Sequence, residues 1–341
     1  MKELICLGIE TTAHTFGIGI VASKGKVLAN YKTAYTTEKG GIIPYHLFEH
    51  HTNAAIEVLK NALKTAGVKI EEIDLISYSN APGLGNALRV GAFVARYLAG
   101  KYNIPLVGVN HCIAHLEIGR LLTKAKDPVL LYASGANTQI IGYEGEKYRI
   151  FGETLDIGVG NFLDSFARHV GLGFPGGPKV EELARKHMEK NATYPNKSPD
   201  LIELPYSVKG MDVAFGGLLT NIKQKFDSGK FSREELCYSV QETVFAMLVE
   251  VSERAMAHTG KNELLLGGGV ACNKRLQEMC GRMCEERDAN FFVPANEFLV
   301  DNGAQIAWLG ILMYKSGYRM KIKDAIIKPY ERTDEVLVKW R

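Results

Sequence analysis

The length, composition and charge of this 341-residue chain exclude several classes of protein. Hydrophobic residues make up 46% of the chain and charged residues 23%, which is typical of a globular protein with room for two domains. The net charge of +3 excludes a polycation, so any nucleic-acid contact would come from local basic patches or from partners. No apolar run approaches the length of a membrane span, and the first residues lack a signal-peptide pattern. We therefore expect a cytoplasmic protein without membrane contact.

The first part of the chain predicts a three-strand meander followed by alternating helices and strands. Apolar periodicity indicates strands over 4–10, 16–21 and 27–33, a helix over 46–66, a strand over 73–79, a helix over 86–102 and a strand over 104–109. A further helix is predicted from residue 111 to residue 122. This alternation is typical of an α/β fold.

A similar order of elements returns after residue 127. Strands are predicted over 129–134, 138–143 and 148–154, helices dominate 160–259, and a strand over 263–266 leads into a helix over 272–286. The repetition predicts two α/β lobes that face one cleft. We expect an N-terminal lobe over 1–127, a C-terminal lobe over 128–318 whose last helix is able to pack back on the first lobe, and a tail or linker over 319–341.

A pair of histidines at helical spacing is the first candidate site. His111 and His115 stand one turn apart at the start of a helix that directly follows a buried strand. Open α/β sheets bind ligands at that edge, and two imidazoles at this spacing can hold one metal ion. The alternative is a pair of buried histidines that bond only to the backbone, which is the commoner role of such a pair.

Three glycine-containing turns in the second half indicate a nucleotide site. They are expected to follow strands, at Ser134-Gly135-Ala136-Asn137-Thr138, Phe174-Pro175-Gly176-Gly177-Pro178 and Gly267-Gly268-Gly269. Backbone N–H groups in such turns bind phosphate, whereas the alternative is a tight turn that needs positive φ. Neither a Walker sequence nor Gly-x-Gly-x-x-Gly is present, which disfavours the P-loop and Rossmann folds.

Four further side chains are candidates by their position next to these turns and strands. Asp164 and Glu181 lie on predicted helices, where each is either a ribose ligand or an acid favoured by the helix dipole. Asp301 precedes the last helix, so it is either a third metal ligand or a helix N-cap. Tyr132, near the end of a strand, is a candidate fourth ligand, and a phenolate suits a hard ion such as Fe(III).

Seven motifs in order resemble the tRNA threonylcarbamoyladenosine transferase family, once described as O-sialoglycoprotein endopeptidases. The motifs are Glu10-Thr11-Thr12, the turn from Asn80 to Gly91, His111-x-x-x-His115, the Ser134 turn, Phe174-Pro175-Gly176-Gly177, the triple-Gly turn through Asn273, and Asp301-Asn302-Gly303. The resemblance covers about residues 3–330 and is greater to archaeal and eukaryotic members. It implies two actin-like, ribonuclease H-like lobes around a nucleotide- and metal-binding cleft.

The resemblance also implies which residues bind the ligands. The residues that match the family's metal ligands are His111, His115, Tyr132 and Asp301. Those that match its nucleotide and substrate contacts are Tyr132, Ala133, Ser134, Gly135, Ala136, Asp164, Gly177, Glu181 and Asn273. One metal ion is implied, iron in preference to zinc, together with ATP or threonylcarbamoyl-AMP and Mg as an accompanying ion. Ala136 departs from the family's Ser-Gly-Gly-Asn-Thr and would be strained at positive φ.

The activity implied by the resemblance is transfer of a threonylcarbamoyl group from threonylcarbamoyl-AMP to N6 of the adenosine 3′ to the anticodon. The tRNAs concerned read codons that begin with A. The implied partners are tRNA and the subunits of the KEOPS assembly, including a dimerisation subunit and a small kinase-like ATPase, separate or fused at the C-terminus. The alternative is a metal- and ATP-binding scaffold or chaperone-like ATPase. Peptidase activity is disfavoured, because Cys112 stands where a His-Glu-x-x-His protease has its glutamate.

Two basic clusters and one helix are candidate contact surfaces. The clusters, at 185–190 and 319–328, are either weak tRNA contacts or solvated faces. The helix over 46–66 is the candidate docking face for a partner subunit. The sequence assigns no catalytic base.

Overall fold

The computed structural model describes residues 3–37, 42–191 and 199–341. The strands are β1 (Ile5–Glu10), β2 (Thr15–Ala22), β3 (Val27–Ala34), β4 (Leu75–Ala81), β5 (Leu106–Asn110), β6 (Val129–Ala133), β7 (Thr138–Glu144), β8 (Lys147–Glu153), β9 (Val208–Lys209), β10 (Asp212–Val213), β11 (Glu263–Gly267) and β12 (Asn290–Phe292). The helices are α1 (Pro44–Ala66), α2 (Gly85–Tyr102), α3 (His111–Thr123), α4 (Val159–His169), α5 (Gly177–Asn191), α6 (Gly216–Asp227), α7 (Arg233–Thr259), α8 (Lys274–Glu286), α9 (Asn296–Leu299) and α10 (Gly303–Lys315).

Two five-stranded sheets repeat one topology. Their strand orders are β3-β2-β1-β4-β5 and, read in the matching direction, β8-β7-β6-β11-β12. In each sheet the first three strands form an antiparallel meander, and the last two pair in parallel. The predicted α/β fold of two similar lobes is therefore confirmed.

Three hydrophobic cores stack the elements in layers. One core lies between the first sheet and helices α1 and α2, and another lies between the second sheet and helices α4 to α8. The central core joins α3 and α10 to the inner faces of both sheets. Because the inner strands are covered on both faces, they are almost continuously apolar and buried, as in β1, β4 and β6.

Small residues bring α10 directly onto the first sheet. A Cβ on Gly19 of β2 would lie 2.1 Å from the backbone nitrogen of Ala304, and one on Gly303 would lie 2.0 Å from the nitrogen of Gly19. A Cβ on Gly8 of β1 would meet the Ala307 nitrogen at 2.2 Å. This close backbone packing brings Asp301, two residues before α10, to the edge of the first sheet.

Residues 319–341, predicted as a tail or linker, pack against both lobes instead. Ala325, Thr333 and Val338 are buried. Met320 forms an isolated bridge with Leu106 in the first sheet. The segment packs against both lobes because single apolar side chains are interspersed among its polar residues. Composition alone does not reveal this spacing.

One smaller prediction also differs from the structure. Helix α8 begins at Lys274 rather than at residue 272, because the Asn273 side chain caps the N–H groups of Arg275 and Leu276. In the described part of 160–259 helices dominate as predicted, with the short two-stranded β9–β10 hairpin among them. Among the described helices, none is both long and apolar enough to cross a membrane.

Candidate active site

Helix α3 begins directly after β5, and this junction fixes the histidine pair. The Asn110 side chain accepts hydrogen bonds from the backbone N–H groups of Cys112 at 3.0 Å and Ile113 at 3.3 Å, so it caps the helix. His111 and His115 are both buried on the face that packs in the central core. The strand–helix unit around the pair is therefore as predicted.

The two imidazoles and the Asp301 carboxylate form a compact triangle of ligand atoms. The His111 and His115 Nε2 atoms are 3.2 Å apart. Asp301 Oδ1 lies 3.3 Å from His111 Nε2 and 3.5 Å from His115 Nε2. Ligands about 2.1 Å from a shared ion, at angles near 90–110°, have separations of this size. The three side chains therefore fit one metal ion, as their grouping also indicates.

Glu10, at the end of β1, orients the first histidine. His111 Nδ1 donates to Glu10 Oε2 at 2.7 Å, so Nε2 is the ring nitrogen that faces the triangle and that a metal ion would bind in place of its proton. The other Glu10 oxygen accepts from the backbone N–H and the hydroxyl of Thr12, both at 2.6 Å. Sequence analysis gave Glu10 no role. The available signal was an acid at the carboxyl end of a buried strand, the edge at which such sheets bind ligands.

The electrostatics of the triangle favour a cation. Burial opposes a charge on His111, yet the Glu10 and Asp301 carboxylates raise its pKa well above the usual value. Desolvation opposes a charge on Asp301, yet the charge of His111 and hydrogen bonds from both histidines hold the pKa of this carboxyl well below its usual range. Burial lowers the pKa of His115, which favours its neutral, metal-binding form. The fully buried Glu10 carboxylate and the Asp301 carboxylate, whose side chain is 14% exposed, thus both face the imidazoles.

Tyr132 lies beside the triangle. Its ring centroid is 5.0 Å from that of His115 and 6.4 Å from that of His111. Burial, with Cys112 and Asp301 nearby, raises the pKa of the phenol well above its usual value, whereas a hydrogen bond with Ser134 acts in the opposite direction. Tyr132 therefore connects the histidine pair to the Ser134 turn, and its coordination of a metal stays a prediction.

The Ser134 turn contacts the Gly267-Gly268-Gly269 turn at the end of the second sheet. Ser134 N–H donates to the Asn137 carbonyl at 2.9 Å and closes the turn. Gly268, with φ of +90°, approaches so closely that a Cβ there would lie 2.4 Å from the Ala133 carbonyl oxygen. The backbone at Ala136 is outside the left-handed region, so alanine fits this position without strain. The departure at Ala136 leaves the turn intact.

The remaining predicted nucleotide contacts lie at or next to the starts of α5 and α8, where several of them form hydrogen bonds. Asp164 Oδ1 accepts the Gly176 N–H at 2.6 Å, and burial raises the pKa of this carboxyl. Gly177 begins α5, and a Cβ at this position would meet no atom within 4 Å. One turn further, Glu181 accepts the Lys274 N–H at 2.8 Å. Asn273 donates to Gln241 at 2.9 Å. In the structure Glu181 and Asn273 both cap α8.

Lys32 and His14 add two contacts that sequence analysis missed. Lys32 Nζ, on β3, donates to the backbone carbonyl of Asp301 at 3.2 Å and to that of Glu297 at 3.0 Å. The His14 ring, in the loop after β1, packs edge-on against Phe174 at 6.0 Å. These contacts cross between the lobes and carried no sequence signal, because their partners lie far along the chain.

The fold and the site define the class first: an actin-like α/β protein with a candidate metal centre between its lobes. HypF from Thermococcus kodakarensis matches with a TM-score of 0.61 and 17% identity over 95% of this chain and 50% of its own. The Acidaminococcus fermentans (R)-2-hydroxyglutaryl-CoA dehydratase component A matches with a TM-score of 0.56 and 13% identity over 90% of this chain and 98% of its own. At these identities the likeness shows the fold alone.

Sequence comparison then gives the family. The profile of TsaD, tRNA N6-adenosine threonylcarbamoyltransferase, matches residues 26–308. The Thermococcus kodakarensis tRNA N6-adenosine threonylcarbamoyltransferase is 56% identical over 99% of this chain and 100% of its own length. A probable bifunctional tRNA threonylcarbamoyladenosine biosynthesis protein of Methanocaldococcus jannaschii is 52% identical over 99% of this chain and 60% of its own length. The chain belongs to the tRNA N6-adenosine threonylcarbamoyltransferase family, which confirms the resemblance.

Proposed function

We propose that this chain transfers a threonylcarbamoyl group from threonylcarbamoyl-AMP to N6 of the adenosine 3′ to the anticodon, in tRNAs that read codons beginning with A. Membership of the family supports the reaction class. The observation that carries the proposal is the triangle of the buried His111 and His115 with Asp301, next to the Ser134 turn. The residues proposed to activate the acyl group and those proposed to bind its AMP leaving group thus lie in one cleft.

His111, His115 and Asp301, with Tyr132 as the fourth ligand, would hold one metal ion, iron in preference to zinc. A bound ion would supply Lewis-acid stabilisation of negative charge at the carbonyl under attack. Glu10 accepts from His111 Nδ1, which would direct Nε2 of the ring towards the ion. Burial of both imidazoles excludes water from their metal-binding side.

The glycine turns of the second lobe would hold the AMP half of the substrate, or ATP with Mg. The backbone from Ala133 to Ala136 would bind the phosphate. The contact between this turn and the Gly268 turn supports this role, because it brings two glycine-containing turns together. Asp164, Gly177, Glu181 and Asn273 line the start of α5 and of α8. Asp164 has a second carboxylate oxygen to accept a ribose hydroxyl.

The reaction needs an activated acyl group because the adenine N6 lone pair is delocalised into the ring. N6 attacks the carbamoyl carbon, the bond from that carbon to the phosphate oxygen breaks, and AMP leaves with the bonding electrons. N6 loses one proton as the new C–N bond forms. The target base must be unpaired to reach the cleft, as bases of an anticodon loop can be.

Partners complete the proposal: tRNA, a dimerisation subunit and a small kinase-like ATPase of a KEOPS-type assembly, in the cytoplasm. The bifunctional relatives support a link to a second function in the same pathway. Three exposed apolar side chains on helix α1 support its proposed role as a docking face: Tyr45, Phe48 and Ile56. The cluster at 185–190 favours the solvated-face alternative, because Arg185 pairs with Glu182 and Glu189.

The rival function, a scaffold or chaperone-like ATPase, fits the fold but not the site. Such a protein needs Mg with its nucleotide and has no use for a triangle of two buried histidines and an aspartate. Both the family and the triangle favour the transferase.

The test is incubation of the metal-replete protein with unmodified tRNA and threonylcarbamoyl-AMP, with and without partner subunits. We expect modified tRNA from the complete system and its loss in His111→Ala, because that variant lacks one ligand. Circular dichroism checks that the variant is folded. Full modification by folded His111→Ala, or none by the complete system, would overturn the proposal.

A further inference from the structure

The segment Arg332–Arg341, which we call the C-terminal strap, contacts the helix that carries both metal-ligand histidines. We propose that the strap is a positioning element for the metal centre, and that Trp340 positions α3 through Glu117. The inference rests on the proposed metal centre and goes beyond it, since no residue of the strap is a proposed ligand.

Glu117 is the point of attachment on α3. It lies two residues after His115 on the same helix and is 1% exposed. Trp340 Nε1 donates to Glu117 Oε1 at 2.7 Å, and the Tyr148 hydroxyl of β8 donates to the same oxygen. Arg120 pairs with the other carboxylate oxygen at 2.7 Å. One buried carboxylate thus joins the strap, α3 and the second sheet.

The strap also holds the end of α3. Arg341 donates to the Lys126 carbonyl at 2.6 Å and to Asp127 at 3.0 Å, just beyond the helix. The Arg341 guanidinium lies 4.2 Å from the Tyr143 ring centroid, on the second sheet. These contacts bridge the end of α3 to strand β7.

At its other end the strap reaches the start of α3. Thr333 is buried and contacts both the Cys112 thiol, next to His111, and the Gln139 side chain of β7. Arg332 forms an ion pair with Glu153 of β8 at 2.9 Å. Between the two ends, Val338 N–H donates to the Glu146 carbonyl at 2.9 Å.

Alternation of burial along the strap agrees with this role. Val336, Val338 and Trp340 face the central core, whereas Leu337 and Lys339 between them are exposed. The strap therefore lies on the core like an edge strand, and it fixes α3 at its start, middle and end.

The metal centre depends on this fixation because its ligands come from separate elements. The histidines belong to α3, whereas Asp301 precedes α10. A small shift of α3 relative to α10 changes both His-to-Asp distances of the triangle. Removal of the Trp340 hydrogen bond would therefore weaken metal binding without altering a ligand.

The experiment compares Zn²⁺ affinity of the full chain and three variants by competition with a chromogenic chelator. Trp340→Phe keeps an aromatic ring but removes the N–H donor, and we expect about tenfold weaker Zn²⁺ binding, the lower end of the effect of an outer-shell partner. Trp308→Phe is the matched control, because Trp308 lines the same cavity of about 390 Å³ from α10, outside the strap. Lys339→Ala controls for changes in the strap itself. Both controls should bind as the unchanged chain does.

AMP affinity, measured by calorimetry on the same proteins, separates positioning from general loosening of the fold. We expect AMP affinity to be unchanged in Trp340→Phe, since the hydrogen bond that is removed goes to Glu117, which is not one of the proposed nucleotide contacts. Unchanged Zn²⁺ affinity in Trp340→Phe, or equal losses of Zn²⁺ and AMP affinity, would overturn the strap's role and leave the proposed function standing. Absence of Zn²⁺ binding by the unchanged chain, with His111→Ala as baseline, would overturn the metal centre itself.

Discussion

Glu10 and His111 lie 101 positions apart in the chain, yet one hydrogen bond between them determines which imidazole nitrogen faces the ligand triangle. Metal-binding histidines commonly donate their second ring nitrogen to a carboxylate, which fixes the tautomer and raises ligand basicity. Glu10 is itself held by two hydrogen bonds from Thr12. At the scale of single residues, the site therefore depends on a side chain that is not a ligand.

Glu10→Gln is expected to weaken metal binding roughly 10- to 100-fold, because the amide keeps the side-chain volume but loses the charge that supports His111. Chelator competition with Zn²⁺ or Co²⁺ measures the affinity. Glu71→Gln, in the exposed turn before β4, is the matched control and should have no effect. An unchanged affinity in Glu10→Gln would show that the carboxylate does not tune the site.

At the scale of elements, contact between α10 and the first sheet places Asp301 opposite the histidine pair. Gly8 and Gly19 on the strands meet Gly303, Ala304 and Ala307 on the helix without room for further Cβ atoms. Lys32 then holds the backbone of Asp301 from the neighbouring strand. The position of the third ligand is thus set by backbone packing.

Gly19→Ala should destabilise the protein by about 3 kcal/mol or more, because its Cβ would overlap the helix backbone, which cannot move aside as a side chain can. The free energy of unfolding is measured by urea denaturation. Gly217→Ala on α6 is the control: its Cβ would meet nothing within 4 Å, so we expect no loss, or a gain of up to about 1 kcal/mol. Equal stability of Gly19→Ala and the unchanged chain would refute this account of the packing.

The sequence predicts elements well where a local pattern carries the information. The duplicated order of strands and the helical spacing of His111 and His115 are both readable from periodicity, and both agree with the structure. Glu10 and Trp340 were not identified, because their partners are more than a hundred residues away and depend on which strands become neighbours. The packing of residues 319–341 was missed because isolated apolar residues in a polar segment give no periodic signal.

At the scale of the whole molecule, both lobes contribute to one cleft, and the charge balance limits what the chain binds alone. Lys and Arg number 41 against 38 Asp and Glu. Affinity for RNA rises with the number of phosphates that basic groups neutralise. Around 319–328, Lys328 is already paired with Glu331. We therefore expect tRNA binding to need basic surface from partner subunits.

The isolated chain should bind tRNA weakly and with strong salt dependence, and partner subunits should tighten binding at near-physiological salt. Filter-binding titrations at several salt concentrations, scored together with product formation, measure both effects. Tight binding and full turnover by the isolated chain would contradict the expected need for partners.

The central claim, that His111, His115, Asp301 and Tyr132 hold one metal ion, is tested most directly by anomalous diffraction from crystals grown with iron. We expect one strong peak at the iron edge, within coordination distance of both histidine Nε2 atoms, the aspartate carboxylate and the tyrosine oxygen. A peak elsewhere, or no peak at this triangle under metal-replete conditions, would contradict the account.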